Sequence, residues 1–349
     1  MDMLTIATEV PLARYSTMRL GGSAAFAVAV SDAQQAAQAC RWAMDHGLPF
    51  IVVGSGSNIV WRDEGFEGLL IVNRISGYEE VAQPDGSVLV TAGAGENWDT
   101  VVERSAASGL TGIEALSLIP GTAGATPVQN VGAYGQDVSQ TLVSVQAYDS
   151  QTGAMVSISN QECRFGYRAS RFKSDDRGRF VITSVSFRLG WGSIQPPYYR
   201  ALQAYMDEHG STDTSPASIR QAVISIRSDK LPDPAKVANN GSFFANPIVS
   251  QEVFDTIART LPELEIPHWP ADGGIKLSAA WLLDQAGFKD YHDTATGMAT
   301  WHRQPLVLVN EHAADTAGLL VFRDSIITAV ADRFGVSLQQ EPELLPVTA

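Results

Sequence analysis

The chain has 349 residues, 45% of them hydrophobic, and a formal charge of −14 with no basic cluster. That balance excludes a phosphate-tracking groove for nucleic acid and disfavours anionic membranes, so an anionic ligand must be held by backbone N–H groups and a few placed cations. Two cysteines, Cys40 and Cys163, make no disulfide framework, and neither a signal peptide nor an apolar run of about 18 residues is found, so a cytoplasmic protein outside the membrane is expected.

In chain order, "AAFAVAV" (24–30) predicts a short buried strand. Ser31 or Asp32 then caps an alanine-rich helix that stops at Gly47. "PFIVVG" (49–54) and "GLLIVN" (68–73) are further strands, giving a β-α-β-β unit with the turn "SGSN" after its second strand. Asp85-Gly86 between strand-like flanks signals a hairpin, and "NWDTVVERSAASG" (97–109) a helix. A second hairpin turns at Gln151 to Gly153, and "RFVITSVSFRLG" (179–190) is a strand. Beyond Gly190 the composition shifts to a turn-rich connector with Tyr198 and Tyr199. Helical patterns follow near 216–229, 250–260, 278–286 and 313–334, with a strand at 305–310. Pro262, Pro267 and Pro270 suggest an extended linker.

Metal and common nucleotide chemistries find no support. The six histidines show no ligand spacing, and the sequence lacks a G-x-S-x-G elbow, a P-loop and a G-x-G-x-x-G fingerprint. Two clusters of glycine and small polar residues remain. Gly54-Ser55-Gly56-Ser57-Asn58 follows a strand, where glycines let the backbone approach a ligand closely. The longest uncharged run, Ala115 to Gln136, contains "SLIPGTAGATPVQNVGAYG" (117–135). Its composition suits either the wall of a site for a flat, polar-edged ligand or a tight loop packed on itself.

Combined motifs decide more than composition. "STMRLGG" (16–22), "GSGSN" (54–58), "AGAGENW" (92–98) and the uncharged run occur in order with "ECRFGYRASRFK" (162–173), "RSDKLPDP" (227–234) and "NNGSFFANP" (239–247). Over nearly the whole chain this resembles the UDP-N-acetylenolpyruvylglucosamine reductase family, in its longer type I form, among FAD-binding proteins of the vanillyl-alcohol oxidase type. The resemblance implies an α+β protein: a two-subdomain FAD-binding fold of the PCMH type, then a smaller α+β substrate-binding domain. The expected spans are 1–75, 76–215 and 216–349, with the C-terminal tail returning to the active site.

It also implies FAD as cofactor, NADPH as co-substrate, and reduction of UDP-N-acetylglucosamine enolpyruvate to UDP-N-acetylmuramate by a monomer. Cofactor contacts fall on Gly54, Ser55, Gly56, Ser57 and Asn58, then Ile119, Pro120, Gly121, Gly124, Ala125, Thr126, Val128, Asn130, Val131, Gly132 and Ala133, and on Ile182. Ser242 matches the proton-donating serine and Arg168 the arginine that holds the substrate carboxylate. Tyr167, Tyr199, Lys230, Asn246 and Gln304 match substrate-binding positions; a one-residue slip would exchange Tyr199 for Tyr198. A gap-free alignment from the helix ending at Phe334 puts the catalytic glutamate at Glu341, whereas an L-E-P-E match selects Glu343. Both glutamates would face one side of a strand, so periodicity leaves the choice open. Gln340, where the family usually has proline, is a departure. The rival expectations are a flavin oxidase of the same superfamily and a non-catalytic sugar-nucleotide-binding regulator.

Overall fold

The computed structural model describes residues 4–347. They divide into two compact units: the first holds the chain through Val10, Ala24–Ser55 and Phe66–Ser228, and the second holds Pro11–Ser23, Gly56–Gly65 and the chain from Asp229 onward. The architecture is α+β, and among the described residues no helix is long and apolar enough to cross a membrane.

The first unit opens with strands Ser23–Val30, Phe66–Asn73 and Phe50–Val53, all parallel, with Ala7–Pro11 at the sheet edge. Helix Ala33–Asp45 begins where Asp32 accepts a hydrogen bond from the Gln35 amide at 2.8 Å. It buries Ala36, Ala37, Ala39, Cys40 and Ala43, small side chains that let the helix approach the sheet closely. Burial pushes the Cys40 and Cys163 thiols up to about 12, which keeps both protonated. Buried Asn73 ends the first sheet and donates to the Ile182 carbonyl of the second at 2.7 Å.

That second sheet is antiparallel, in the order Ala154–Ser159, Leu142–Asp149, Phe180–Trp191, Val88–Gly93 and Tyr78–Ala82, with Leu110–Thr111 pairing the far end of the long strand. Helix Trp98–Ala107 lies on it through Trp98, Val101 and Val102, and the Trp98 and Phe187 rings stand 5.5 Å apart. Two more helices, Arg200–His209 and Pro216–Lys230, meet around Leu202, Met206, Ile219 and Val223.

In the second unit, strands Ala238–Ser242, Gln304–Asn310, Met298–Trp301 and His292–Asp293 form one sheet, and Ile248–Val249, Gly274–Leu277 and His268–Ala271 another. Phe243, Phe244, Leu282, Leu283, Phe322, Ile326 and Val330 share the core with helices Ala279–Gln285 and Thr316–Phe334. Asp63 caps the latter helix by accepting from the Thr316 and Ala317 amides at 2.8 and 2.9 Å. Strand Glu343–Leu345 runs parallel to Ile59–Trp61, so the tail returns to the segment following the first glycine loop.

Two expectations are corrected. The connector after Gly190 already contains helix Arg200–His209, because leucine and methionine four residues apart give it a buried face. The proline-marked linker contains strand His268–Ala271, and Pro270 is tolerated there because the strand is an edge.

Candidate active site

The uncharged run of the first unit is inside out. Ser117, Thr122, Thr126 and Asn130 are buried, whereas Leu118, Pro120 and Ala125 are exposed. The buried polar groups act as struts: Ser117 Oγ donates to the Glu114 carbonyl at 2.6 Å, Thr126 Oγ1 to that of Ala123 at 2.8 Å, and Asn130 Nδ2 to that of Gly166 at 3.2 Å. Main-chain bonds stitch the run to the "AGAGENW" stretch, from Gly124 N to Ala94 O, Ala123 N to Glu96 O, and Trp98 N to Gly121 O. A side chain on Gly124 would place its Cβ 2.5 Å from that of Ala94. One on Gly54 would lie 2.2 Å from Thr122 Oγ1, so the first glycine cluster abuts the run within this unit. The outward face is therefore smooth, apolar and uncharged, with amides already engaged behind it. That face fits a large flat cofactor such as FAD.

Four of the eight non-glycine residues with positive φ in the described chain lie here: Leu118, Asn130, Tyr134 and Arg168. Such strain persists only where surrounding contacts enforce it, and it concentrates at functional sites. Asp99 supplies one enforcing contact. Its carboxylate accepts from the Leu118 amide at 2.5 Å and from both Nη atoms of Arg220 at 2.5 and 3.0 Å. Burial alone would raise the Asp99 pKa, but Arg220 and the Leu118 amide outweigh it and hold it below the usual carboxylate range.

Arg168 is held in place rather than solvated. Its Nη2 donates to the Gly132 carbonyl at 2.9 Å and its Nη1 to that of Asn130 at 3.4 Å. Its guanidinium sits 5.5 Å from the centroid of the half-exposed Tyr167 ring. Ile182 lies on the long central strand. Tyr199 is half-exposed beside Tyr134, with centroids 5.5 Å apart, whereas Tyr198 packs against the neighbouring apolar cluster.

The second unit carries the remaining positions. Gly56 has φ +73° and lies on the backbone of Tyr15; a Cβ there would sit 2.0 Å from the Tyr15 carbonyl oxygen. We expect Gly56→Ala to cost at least about 1–2 kcal/mol from the left-handed conformation alone. Its apoprotein should melt several degrees lower and its FAD affinity should fall; an unchanged melting temperature would remove the assigned close approach.

Ser242 is exposed at the end of strand Ala238–Ser242 and follows Gly241, whose φ is +71°. Phe243 and Phe244 behind it are buried, which anchors the turn. The Glu341 amide donates to the Phe243 carbonyl at 2.9 Å, and the Glu343 amide to that of Asn58 at 2.9 Å. Glu341 thus lies alongside the residue after Ser242, and Glu343 alongside the glycine loop. Lys230 ends its helix exposed to solvent, Asn246 Oδ1 accepts from the Ala279 amide at 2.9 Å, and Gln304 opens its strand.

Residues 24–159 match an FAD binding domain, and residues 233–345 match the C-terminal domain of UDP-N-acetylenolpyruvoylglucosamine reductase. Over 337 residues the chain is 40% identical to the UDP-N-acetylenolpyruvoylglucosamine reductase of Cupriavidus pinatubonensis, covering 96% of this chain and 98% of that one. The chain belongs to this reductase family. The family's enzyme from Alcanivorax borkumensis is 42% identical over 298 residues, 85% of this chain and 84% of its own. The crystal structure of the Thermus caldophilus reductase shares the fold, with a TM-score of 0.68 at 21% identity over 99% of this chain and 100% of that one.

Family motifs nominate candidate ligand-binding residues but pass over Asp99 and Arg220, which hold the backbone at Leu118. Asp99 and Arg220 lie far apart in sequence and each resembles an ordinary helix-surface residue. Their only sequence signal is acidic character in the first turn of one helix.

Proposed function

We propose that this chain is an NADPH-dependent, FAD-mediated reductase converting UDP-N-acetylglucosamine enolpyruvate to UDP-N-acetylmuramate. The observation that carries the reading is the Ser242 turn: an exposed hydroxyl on a buried diphenylalanine anchor, with the glutamate-bearing tail bonded to the next residue. Bound FAD supplies the hydride relay from NADPH to C3 of the enolpyruvyl ether. Ser242 gives its proton to C2; serine is a weak acid, so position on a rigid turn matters more than acidity. Arg168, fixed by the Asn130 and Gly132 carbonyls, holds the substrate carboxylate and offsets charge developing on the enolic intermediate. Glu341 stabilises the same intermediate. Tyr167, Tyr199, Lys230, Asn246 and Gln304 bind the sugar nucleotide; Gly54 to Asn58, Ile119 to Gly121, Gly124 to Thr126, Val128, Asn130 to Ala133 and Ile182 hold the cofactor.

On this reading the first two spans, 1–75 and 76–215, serve the cofactor and 216–349 the substrate. The protein works as a cytoplasmic monomer in peptidoglycan precursor synthesis, and so in cell-wall biogenesis, cell shape and division. The free, buried Cys40 and Cys163 thiols accord with a reducing compartment.

An anaerobic visible spectrum tests the reaction. The purified holoprotein should bleach with NADPH and regain its oxidised spectrum on addition of the enolpyruvyl substrate. A flavin that bleaches and never recovers overturns the assigned second half-reaction.

A further inference from the structure

Two distant segments of the second unit converge on one buried amide. Asn240 is 6% exposed and lies two residues before Ser242. Its Nδ2 is within 3.1 Å of Thr17 Oγ1, 3.2 Å of the Ile59 carbonyl, 3.3 Å of that of Ser57 and 3.5 Å of that of Gly56. Two N–H groups therefore serve a ring of acceptors drawn from "STMRLGG" and from Gly56, Ser57 and Ile59. The Oδ1 atom is buried and has no hydrogen-bond donor among the described residues. Turning the amide over would set that oxygen against three carbonyls, so the ring of acceptors fixes its orientation.

Backbone bonds close the same junction. Thr17 N donates to Gly56 O at 3.1 Å, Asn239 N to Thr17 O at 3.0 Å, and Ser16 Oγ to Ile59 O at 2.7 Å. On the far side, Asn239 Oδ1 accepts from the Gly241 amide at 2.8 Å, which shapes the turn that presents Ser242. A buried amide satisfied only on its donor side is poor packing, and an apolar side chain of that size would avoid the orphaned acceptor. Its four acceptors are what it gains.

We infer that Asn240 is a positioning residue that holds the Ser242 turn in register with the Gly56–Ile59 loop, so that the conformation of the glycine loop governs where the proton donor stands. The inference rests on the roles proposed for Ser242 and the loop. It makes Asn240 act through Ser242 and the loop without itself touching substrate.

The test compares wild type, Asn240→Ala, Asn240→Asp and Ser242→Ala by anaerobic stopped-flow spectroscopy of the holoenzyme and by amide hydrogen exchange of the apoprotein. Asn240→Ala should slow flavin reoxidation by the enolpyruvyl substrate on the order of tenfold to a hundredfold, the loss expected from slight misplacement of a catalytic group. Flavin reduction by NADPH should stay within about twofold, because proton donation enters only the second half-reaction. In the apoprotein, exchange at Thr17 and Asn239 should rise together.

Asn240→Asp is the discriminating variant. The wild-type partners are a hydroxyl and backbone carbonyls, none of which titrates. A carboxylate there faces carbonyl oxygens and should be worse than alanine at neutral pH. Protonation restores one donor, so its reoxidation rate should climb as pH falls while Asn240→Ala shows no such rise. If Ser242→Ala slows reoxidation but both Asn240 variants match wild type, the coupling is wrong. The coupling is equally overturned if both half-reactions of the Asn240 variants fall alike with no acid recovery. If Ser242→Ala itself leaves reoxidation unchanged, the failure belongs to the proposed catalytic assignment.

Discussion

Replacing Ser242 by alanine is expected to slow the second half-reaction on the order of 10²- to 10⁴-fold, the usual contribution of a positioned general acid. The same variant should bind FAD and accept reducing equivalents from NADPH at close to wild-type rates. The reason is local. Ser242 is exposed, and its place in the sheet comes from backbone pairing with Val307 and from buried Phe243 and Phe244, none of which uses the hydroxyl. Stopped-flow absorbance after anaerobic reduction separates the two steps, and full-speed reoxidation would remove Ser242 from the mechanism.

A loss of stability is also expected at Asp149. Its side chain is 2% exposed and grips Arg179 through two bonds, Nε to Oδ1 at 2.9 Å and Nη2 to Oδ2 at 2.6 Å. Arg179 also donates to Asp176 at 3.0 Å, and Asp176 accepts from Arg171 at 2.7 Å. Both guanidiniums lie over Phe180, 4.8 and 5.3 Å from its centroid. This network closes the base of the excursion that carries Tyr167 and Arg168. Asp149→Asn should cost about 1–3 kcal/mol, less than stranding a fully buried partner, because Arg179 is partly exposed and keeps Asp176.

The pH dependence has a definite sign. Arg179 holds the Asp149 carboxyl far below the usual carboxylate range, and burial opposes this only in part. A depressed folded-state pKa stabilises the fold above the unfolded value of about 3.9 and loses that contribution as pH falls towards the folded value. Wild type should therefore lose stability on acidification below about pH 5 more steeply than Asp149→Asn. Chemical denaturation at several acid pH values checks both slope and offset, and parallel curves would discard the assignment.

Local patterns made much of the fold legible. Asp85-Gly86 marks a hairpin because that dipeptide suits positive φ, and Asp32 marks a helix start because its side chain can cap one. Candidate site residues on compact motifs, such as Ser242 in "NNGSFFANP", could be nominated from the sequence in the same way. Contacts between distant segments were not. Asp63 caps a helix that begins at Thr316, and Asp99 meets Arg220 across 121 residues; no window along the chain contains both partners. Composition showed that the run from Ala115 to Gln136 is uncharged, but not that its polar side chains turn inward. That choice depends on which carbonyls lie behind each threonine and asparagine.

The second unit is assembled from three separated stretches, with Pro11–Ser23 and Gly56–Gly65 joined to the chain from Asp229 onward. On the ribosome the first two stretches emerge early, while Asn239, Phe243 and Glu343, which bond to Thr17, Glu341 and Asn58, come much later. Domains completed first tend to fold first during synthesis. The sheets of the first unit can therefore form while the two early stretches still wait for their partners. The turn bearing Ser242 then takes shape only after the chain through Glu343 has been made, so a chain cut short before that stretch would carry the sheets of the first unit with Ser242 unplaced.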